Sequence, residues 1–310
     1  MPFLTRKRAI LLKTETTYGT DSVPTGANAL TVRNLDITPI SGDLVSRDLV
    51  RPYLGGYQQL IANTKVELSF EVELAGSGTA GTAPQWGPAM LACGTAATTV
   101  ANTSVTYAPV SSSFSSCTIY FFNDGVRHAV TGWRGSVSIS AQVGQISAWQ
   151  FKGIGIYNTP TDNSVGAVTL ANQADPLVFR QGNTSNYSLF GHAGCLESFQ
   201  FDLNNELVYR ELVGCTKEVL ITNRTPGGQV MFEMVSMATK DFFTTALGTS
   251  TGSLTLTHGT TPGNRVVFTL PQTDITTVPL ADSNGVIMMN PSYVALPSAA
   301  GNDEFSIALT

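Results

Sequence analysis

Ten residues constrain this chain more than any others. From Lys65 to Leu74, Val66, Leu68, Phe70, Val72 and Leu74 alternate without a break with Lys65, Glu67, Ser69, Glu71 and Glu73. Successive side chains of an extended strand point to opposite faces, so this pattern specifies a half-buried antiparallel strand and fits no helix. Shorter alternating stretches run through Thr118 to Phe122, Ser136 to Ser140, Ser198 to Leu203, Gln229 to Val235 and Arg265 to Leu270. Turn formers separate them: Asn123-Asp124-Gly125, Pro226-Gly227-Gly228, Pro262-Gly263-Asn264 and Ser283-Asn284-Gly285. Only Pro84 to Cys93 and Thr239 to Leu247 read as helix, each followed by a glycine, Gly94 or Gly248. A mainly β protein with one short helix per half is expected.

Composition narrows the function. With 42% hydrophobic residues, 9% aromatics and a net charge of −5, the chain can bury a core and is not disordered. Its charged fraction is 13%, about half the roughly 25% of an ordinary soluble protein, which suits a chain that hides surface against copies of itself. The acidic balance argues against gripping nucleic acid phosphates, and no apolar run is long enough for a membrane helix. Arg6, Lys7 and Arg8 precede only a four-residue apolar patch, Ala9 to Leu12. That is shorter than the roughly 7–15 residues of a secretion signal, so synthesis in a cytoplasm is expected. Cys93, Cys117, Cys195 and Cys215 are scattered without metal-ligand spacing and are expected as small core or interface hydrophobes. His128, His192 and His258 lie far apart in turn-rich settings and are expected on exposed loops. Gly76 to Gly81 lacks the Lys-Ser/Thr of a phosphate loop. No catalytic residue, metal site or cofactor is expected.

The halves echo one another. Leu44-Val45-Ser46-Arg47-Asp48-Leu49-Val50 resembles Leu207-Val208-Tyr209-Arg210-Glu211-Leu212-Val213, with five of seven positions identical. Phe70-Glu71 recurs as Phe232-Glu233, and the helix-ending Gly94 as Gly248. The chain therefore divides into residues 1–160, a connector rich in Asn, Thr, Gly and Pro over 161–194, and residues 195–310. Residues 42–64 and 204–228 read as long loops between pairing strands, a length that usually serves function or contact. Glu67, Glu71 and Glu73 are too regular for a calcium loop. They read either as an ordinary outer face or as the negative lining of a channel that repels a passing polyanion.

The run Glu15-Thr16-Thr17-Tyr18-Gly19-Thr20, followed by Pro24-Thr25-Gly26-Ala27-Asn28-Ala29-Leu30, resembles the opening of siphophage major tail (tail tube) proteins. So do Phe70 to Gly78, Pro84-Gln85-Trp86-Gly87, Ala92-Cys93-Gly94 and Phe121 to Gly135. The likeness is good over about the first 160 residues and looser beyond. It implies a structural virion protein without cofactors: two tandem tail-tube-like β-sandwich or barrel domains, each with a short helix, packed side by side into rings. Sheets join around a lumen that holds the tape-measure protein and then passes double-stranded DNA, and tail terminator and distal tail proteins meet the ends. Most family members form hexamers; two tube domains per chain imply trimeric rings with pseudo-sixfold symmetry. On this reading Glu67, Glu71 and Glu73 face the lumen. Leu44, Arg47, Asp48, Leu49, Leu207, Arg210, Glu211 and Leu212 make the contact between rings, the arginines pairing with acids. The competing expectation is a β-rich adhesin or carbohydrate-binding module that uses some of the chain's aromatics: Phe 15, Tyr 9, Trp 3.

Overall fold

The alternation at Lys65 to Leu74 becomes the spine of the first half. The computed structural model describes residues 3–170 and 173–310, and is mainly β with two short α-helices. In the first half run β1 (Arg8–Thr14), β2 (Ala29–Leu30), β3 (Arg33–Val45), β4 (Leu60–Glu73), β5 (Thr95–Val100), β6 (Ser104–Pro109), β7 (Cys117–Asn123), β8 (Val126–Gln142), β9 (Ala148–Tyr157) and β10 (Thr161–Asp162). The second half carries β11 (Thr184–Leu189), β12 (Leu196–Asp202), β13 (Asn205–Arg210), β14 (Glu218–Arg224), β15 (Gly227–Glu233), β16 (Gly252–His258), β17 (Val266–Thr277), β18 (Leu280–Ser283), β19 (Val286–Met289), β20 (Ser292–Ala295) and β21 (Ser306–Leu309). Helix α1 (Gly87–Ala92) follows β4, and α2 (Phe242–Leu247) follows β15. Asp241 caps α2, accepting from the Thr244 N–H at 2.9 Å and from its hydroxyl at 2.6 Å.

The same ladder order occurs twice, antiparallel throughout. In the first half it runs β3, β4, β9, β8, β7, β1. In the second it runs β12, β15, then β20 with β19, then β17 with β18, then β16, β11. The long β8–β9 hairpin is matched by a broken one. Pro279 separates β17 from β18 and Pro291 separates β19 from β20, since proline has no N–H to give a ladder. Two joints sew the halves together. Residues 138–142 of β8 pair with β12, and the last strand, β21, lies between β6 and β17.

The two long loops expected from the sequence are corrected here. Residues 42–64 are not all loop: β3 reaches Val45 and β4 starts at Leu60. Residues 204–228 contain the separate β13–β14 hairpin. The segment read as a connector, 161–194, also carries β11, which pairs with β16.

One apolar core spans both halves. Phe70 stacks on Phe151 at 5.3 Å, and a relay of rings passes from Trp86 to Trp149 at 5.6 Å and on to Phe268 at 5.6 Å. Trp133 lies against its own sheet, where a Cβ added at Gly135 or Gly153 would meet the indole at 2.6 Å. Those glycines are what let the ring lie flat. All three tryptophans are fully buried, so none of them offers a sugar-stacking platform. Cys93 and Cys117 are buried, but Cys195 and Cys215 are exposed and are not core residues. His258 is buried within β16, and His128 lies in β8, so neither is the exposed loop residue expected.

Candidate assembly surfaces

Because they alternate with the core residues of β4, Glu67, Glu71 and Glu73 project to the opposite face of the sheet. Asp36 and Thr38 of β3, Gln150 and Lys152 of β9, and Ser138 and Ser140 of β8 share that side with them. The face is polar but not a bare row of charge. Arg33 Nε lies 2.9 Å from Glu71 Oε2, and Lys65 Nζ lies 3.6 Å from Glu67 Oε1, which also accepts from the Ser41 hydroxyl at 3.0 Å. Such partly exposed pairs contribute at most about 1 kcal/mol each.

The repeated segments sit apart from this face in sequence and differ in structure from each other. Leu44 lies at the end of β3 opposite Ile61, and Arg47, Asp48 and Leu49 lie in the exposed connection that follows. Asp48 accepts from the Ser46 hydroxyl at 2.8 Å. Further along, the Arg51 guanidinium sits 4.7 Å from the Tyr53 ring centroid and 4.2 Å from that of Tyr57, while Val50 and Leu54 are fully exposed. In the second half, Leu207 and Arg210 lie in β13 opposite Ile221 and Glu218, and Glu211 and Leu212 begin its turn. Lys217 Nζ stands 2.9 Å from Glu211, whose carboxyl that contact holds below the usual range. Among the described residues neither Arg47 nor Arg210 forms an ion pair.

The β13–β14 hairpin is fastened at both ends, by Arg134 and Tyr18 beside its turn and by Asn205 at its base. Arg134 of β8, itself buried, donates to the carbonyls of Val219 (2.6 Å) and Phe114 (2.9 Å), reaches Glu218 at 3.2 Å and lies 4.5 Å from the Tyr18 ring centroid. The Tyr18 hydroxyl accepts from the Val219 N–H at 2.6 Å, and burial pushes its pKa up to about 12. Glu15 pins the same N-terminal segment. It accepts from the hydroxyls of Ser116 and Thr118 and from the Gly19 and Gly132 N–H groups. Asn205 donates to the Cys93 and Gly135 carbonyls at 2.7 and 2.9 Å. Leu212 and Val213, in the turn beyond the Arg134 contact, are exposed.

Sequence reasoning missed a third surface, the β18–β19 hairpin, where Leu280, Val286 and Ile287 are all exposed. The Ser283-Asn284-Gly285 turn signalled the hairpin, but alternation alone does not tell a covered face from an uncovered one.

Among the described residues no group of three or more His, Cys, Asp or Glu is placed to hold a metal. Gly248-Thr249-Ser250-Thr251-Gly252 does spell Gly-x-Ser-x-Gly, the pattern of a hydrolase nucleophile elbow. It leads out of α2 into β16, the reverse of the strand-to-helix turn that such an elbow needs.

Open strand edges and exposed apolar hairpin tips are surfaces suited to pairing with and packing against other chains. The family model for phage tail tube protein matches residues 5–302, so the chain belongs to the phage tail tube protein family. That membership makes it a structural component of a virion tail, one that assembles with copies of itself into a tube. No curated protein matches the sequence.

Proposed function

We propose that the chain builds the tube of a non-contractile, siphophage-type tail as rings of three copies, each copy contributing two tube units, residues 1–160 and 195–310, linked by 161–194. The observation that carries this reading is the ladder order found twice in one chain of a tail tube family. Six units from three chains make a pseudo-sixfold ring, and stacked rings make the tube. The lumen holds the tape-measure protein during assembly and conducts double-stranded DNA at ejection. The face bearing Glu67, Glu71 and Glu73 lines it, because fixed carboxylates repel a polyanion and keep it from adhering. The exposed segments at Leu44 to Leu49 and Leu207 to Leu212 reach the adjacent ring, and terminator and distal tail proteins meet the tube's ends. The subunit is made in the host cytoplasm before joining the virion.

Electron microscopy of the purified protein, with rotational averaging of end-on views, tests this. Hollow rings with sixfold symmetry modulated to threefold are expected. True sixfold rings overturn the two-unit reading, and solid particles at every concentration overturn the tube.

A further inference from the structure

The joint between the halves is a template for a contact that a single copy leaves unmade. Residues 138–142 of β8 accept β12 on the edge away from β9, with Ser140 opposite Gln200 and Ile139 opposite Phe201. Stepping across the two ladders identifies the counterparts. Phe70 pairs with Phe151, which pairs with Val137; Phe232 pairs with Met289, which pairs with Leu280. One step further along, Trp149 and Ile139 correspond to Ile287 and Asp282. Phe199 opposite Val230 likewise corresponds to Ile37 opposite Leu68, which makes β3 the counterpart of β12. Yet β18 pairs only with β19, and β3 only with β4, among the described residues.

The side chains agree with the backbone. Val137 and Trp149 are 1% and 0% exposed, the Trp149 ring packing against Phe268 of the second half as well as Trp86. Leu280 and Ile287 occupy the same positions and are 54% and 56% exposed. They face the interior side of their sheet with nothing over them.

We propose that the free edge of β18 takes the free edge of β3 from a second copy of this chain, antiparallel, repeating the β8–β12 joint. Carried over, the register sets Ser283 opposite the second copy's Thr38 and Asp282 opposite its Pro39, and the shift of β3 between Thr38 and Ser41 ends the correspondence there. Pro39 has no N–H to give, so this joint has one donor fewer than its template. That lack also protects the edge from indiscriminate pairing before assembly. The arriving half covers Leu280 and Ile287 as Phe268 of the second half covers Trp149. This inference rests on the proposed ring and adds the strands and the register that close it.

Thr38 and Ser283 point to the polar face. By the template they form a non-hydrogen-bonded pair, whose Cα separation of about 4.5 Å suits a disulfide. The test is Thr38→Cys with Ser283→Cys in the full chain, with Cys195→Ser and Cys215→Ser removing the exposed native thiols. After assembly under reductant and mild oxidation, non-reducing gels should shift the monomer band to two- and three-chain species. Thr38→Cys with Ala281→Cys, two residues out of register, should stay monomeric. Rings in the microscope with no more cross-linking than this control overturn the β18–β3 joint and leave the ring standing. Absence of rings even for the unmodified chain overturns the proposed function itself.

Discussion

His258 is a residue whose chemistry is settled by its surroundings. A carbonyl can only accept, so Nε2 carries the proton donated to Leu177 O at 3.2 Å, and Nδ1 accepts from the Thr184 hydroxyl at 3.0 Å. Burial disfavours the imidazolium and holds the pKa below the ordinary 6.5, against a smaller opposite pull from the Leu177 carbonyl. Burial lowers His128 and His192 in the same direction, helped at His192 by Lys240. With folded pKa values below the unfolded one, the unfolded chain binds more protons once the pH falls under about 6.5. The histidines' contribution is therefore complete above that pH and is lost as the pH drops toward the folded values. Denaturant melts of the unassembled chain should show a midpoint that declines from about pH 7 to about pH 5. His258→Gln should have a flatter profile there; an unchanged slope would remove His258 as a contributor.

At the scale of elements, the two repeated segments share exposed apolar ends, Leu49 and Val50 in one and Leu212 and Val213 in the other. Arg47 and Arg210 are exposed and unpaired among the described residues. Arg47→Glu with Arg210→Glu should therefore leave the melting of the isolated chain within about 0.5 kcal/mol of the original. If these arginines reach acids of the next ring, the same variant should give shorter or more easily dissociated tubes by electron microscopy. Tubes of normal length and heat resistance would disprove that role. The strand of ten alternating residues was legible because it is regular, half-buried and central. Its partner β3 was not, since three register shifts between Arg33 and Asp43 break the alternation. The β13–β14 hairpin read as loop because it forms a sheet of two strands, half exposed, whose anchor Arg134 lies 84 residues from Glu218 in the chain. Nothing periodic in the sequence announces such a contact.

For the whole molecule, the decisive pairings are β8 with β12 and β6 with β21, between strands far apart in the chain, which local patterns do not report. The repeat at Arg47 and Arg210 hinted at the doubled ladder, while the uncovering of Leu280 and Ile287 arises only from how the folded sheets end. The acidic face is a property at this scale, because its effect depends on the sum of charges around a lumen. Replacing Glu67, Glu71 and Glu73 with Lys removes three negative charges and adds three positive ones per chain. The change should leave tubes intact while slowing DNA delivery, by adhesion of the polyanion, in an infection assay at low ionic strength. Normal delivery by intact tubes would assign those residues to an ordinary outer face. The β8–β12 ladder also bears on kinetics. A seam formed within one polypeptide is made at folding and costs no encounter between molecules. A ring of three such chains brings half of its six seams ready-made. Its nucleation would then depend on no more than the third power of subunit concentration, where six separate units could require the sixth, so closed rings could start from a far more dilute pool.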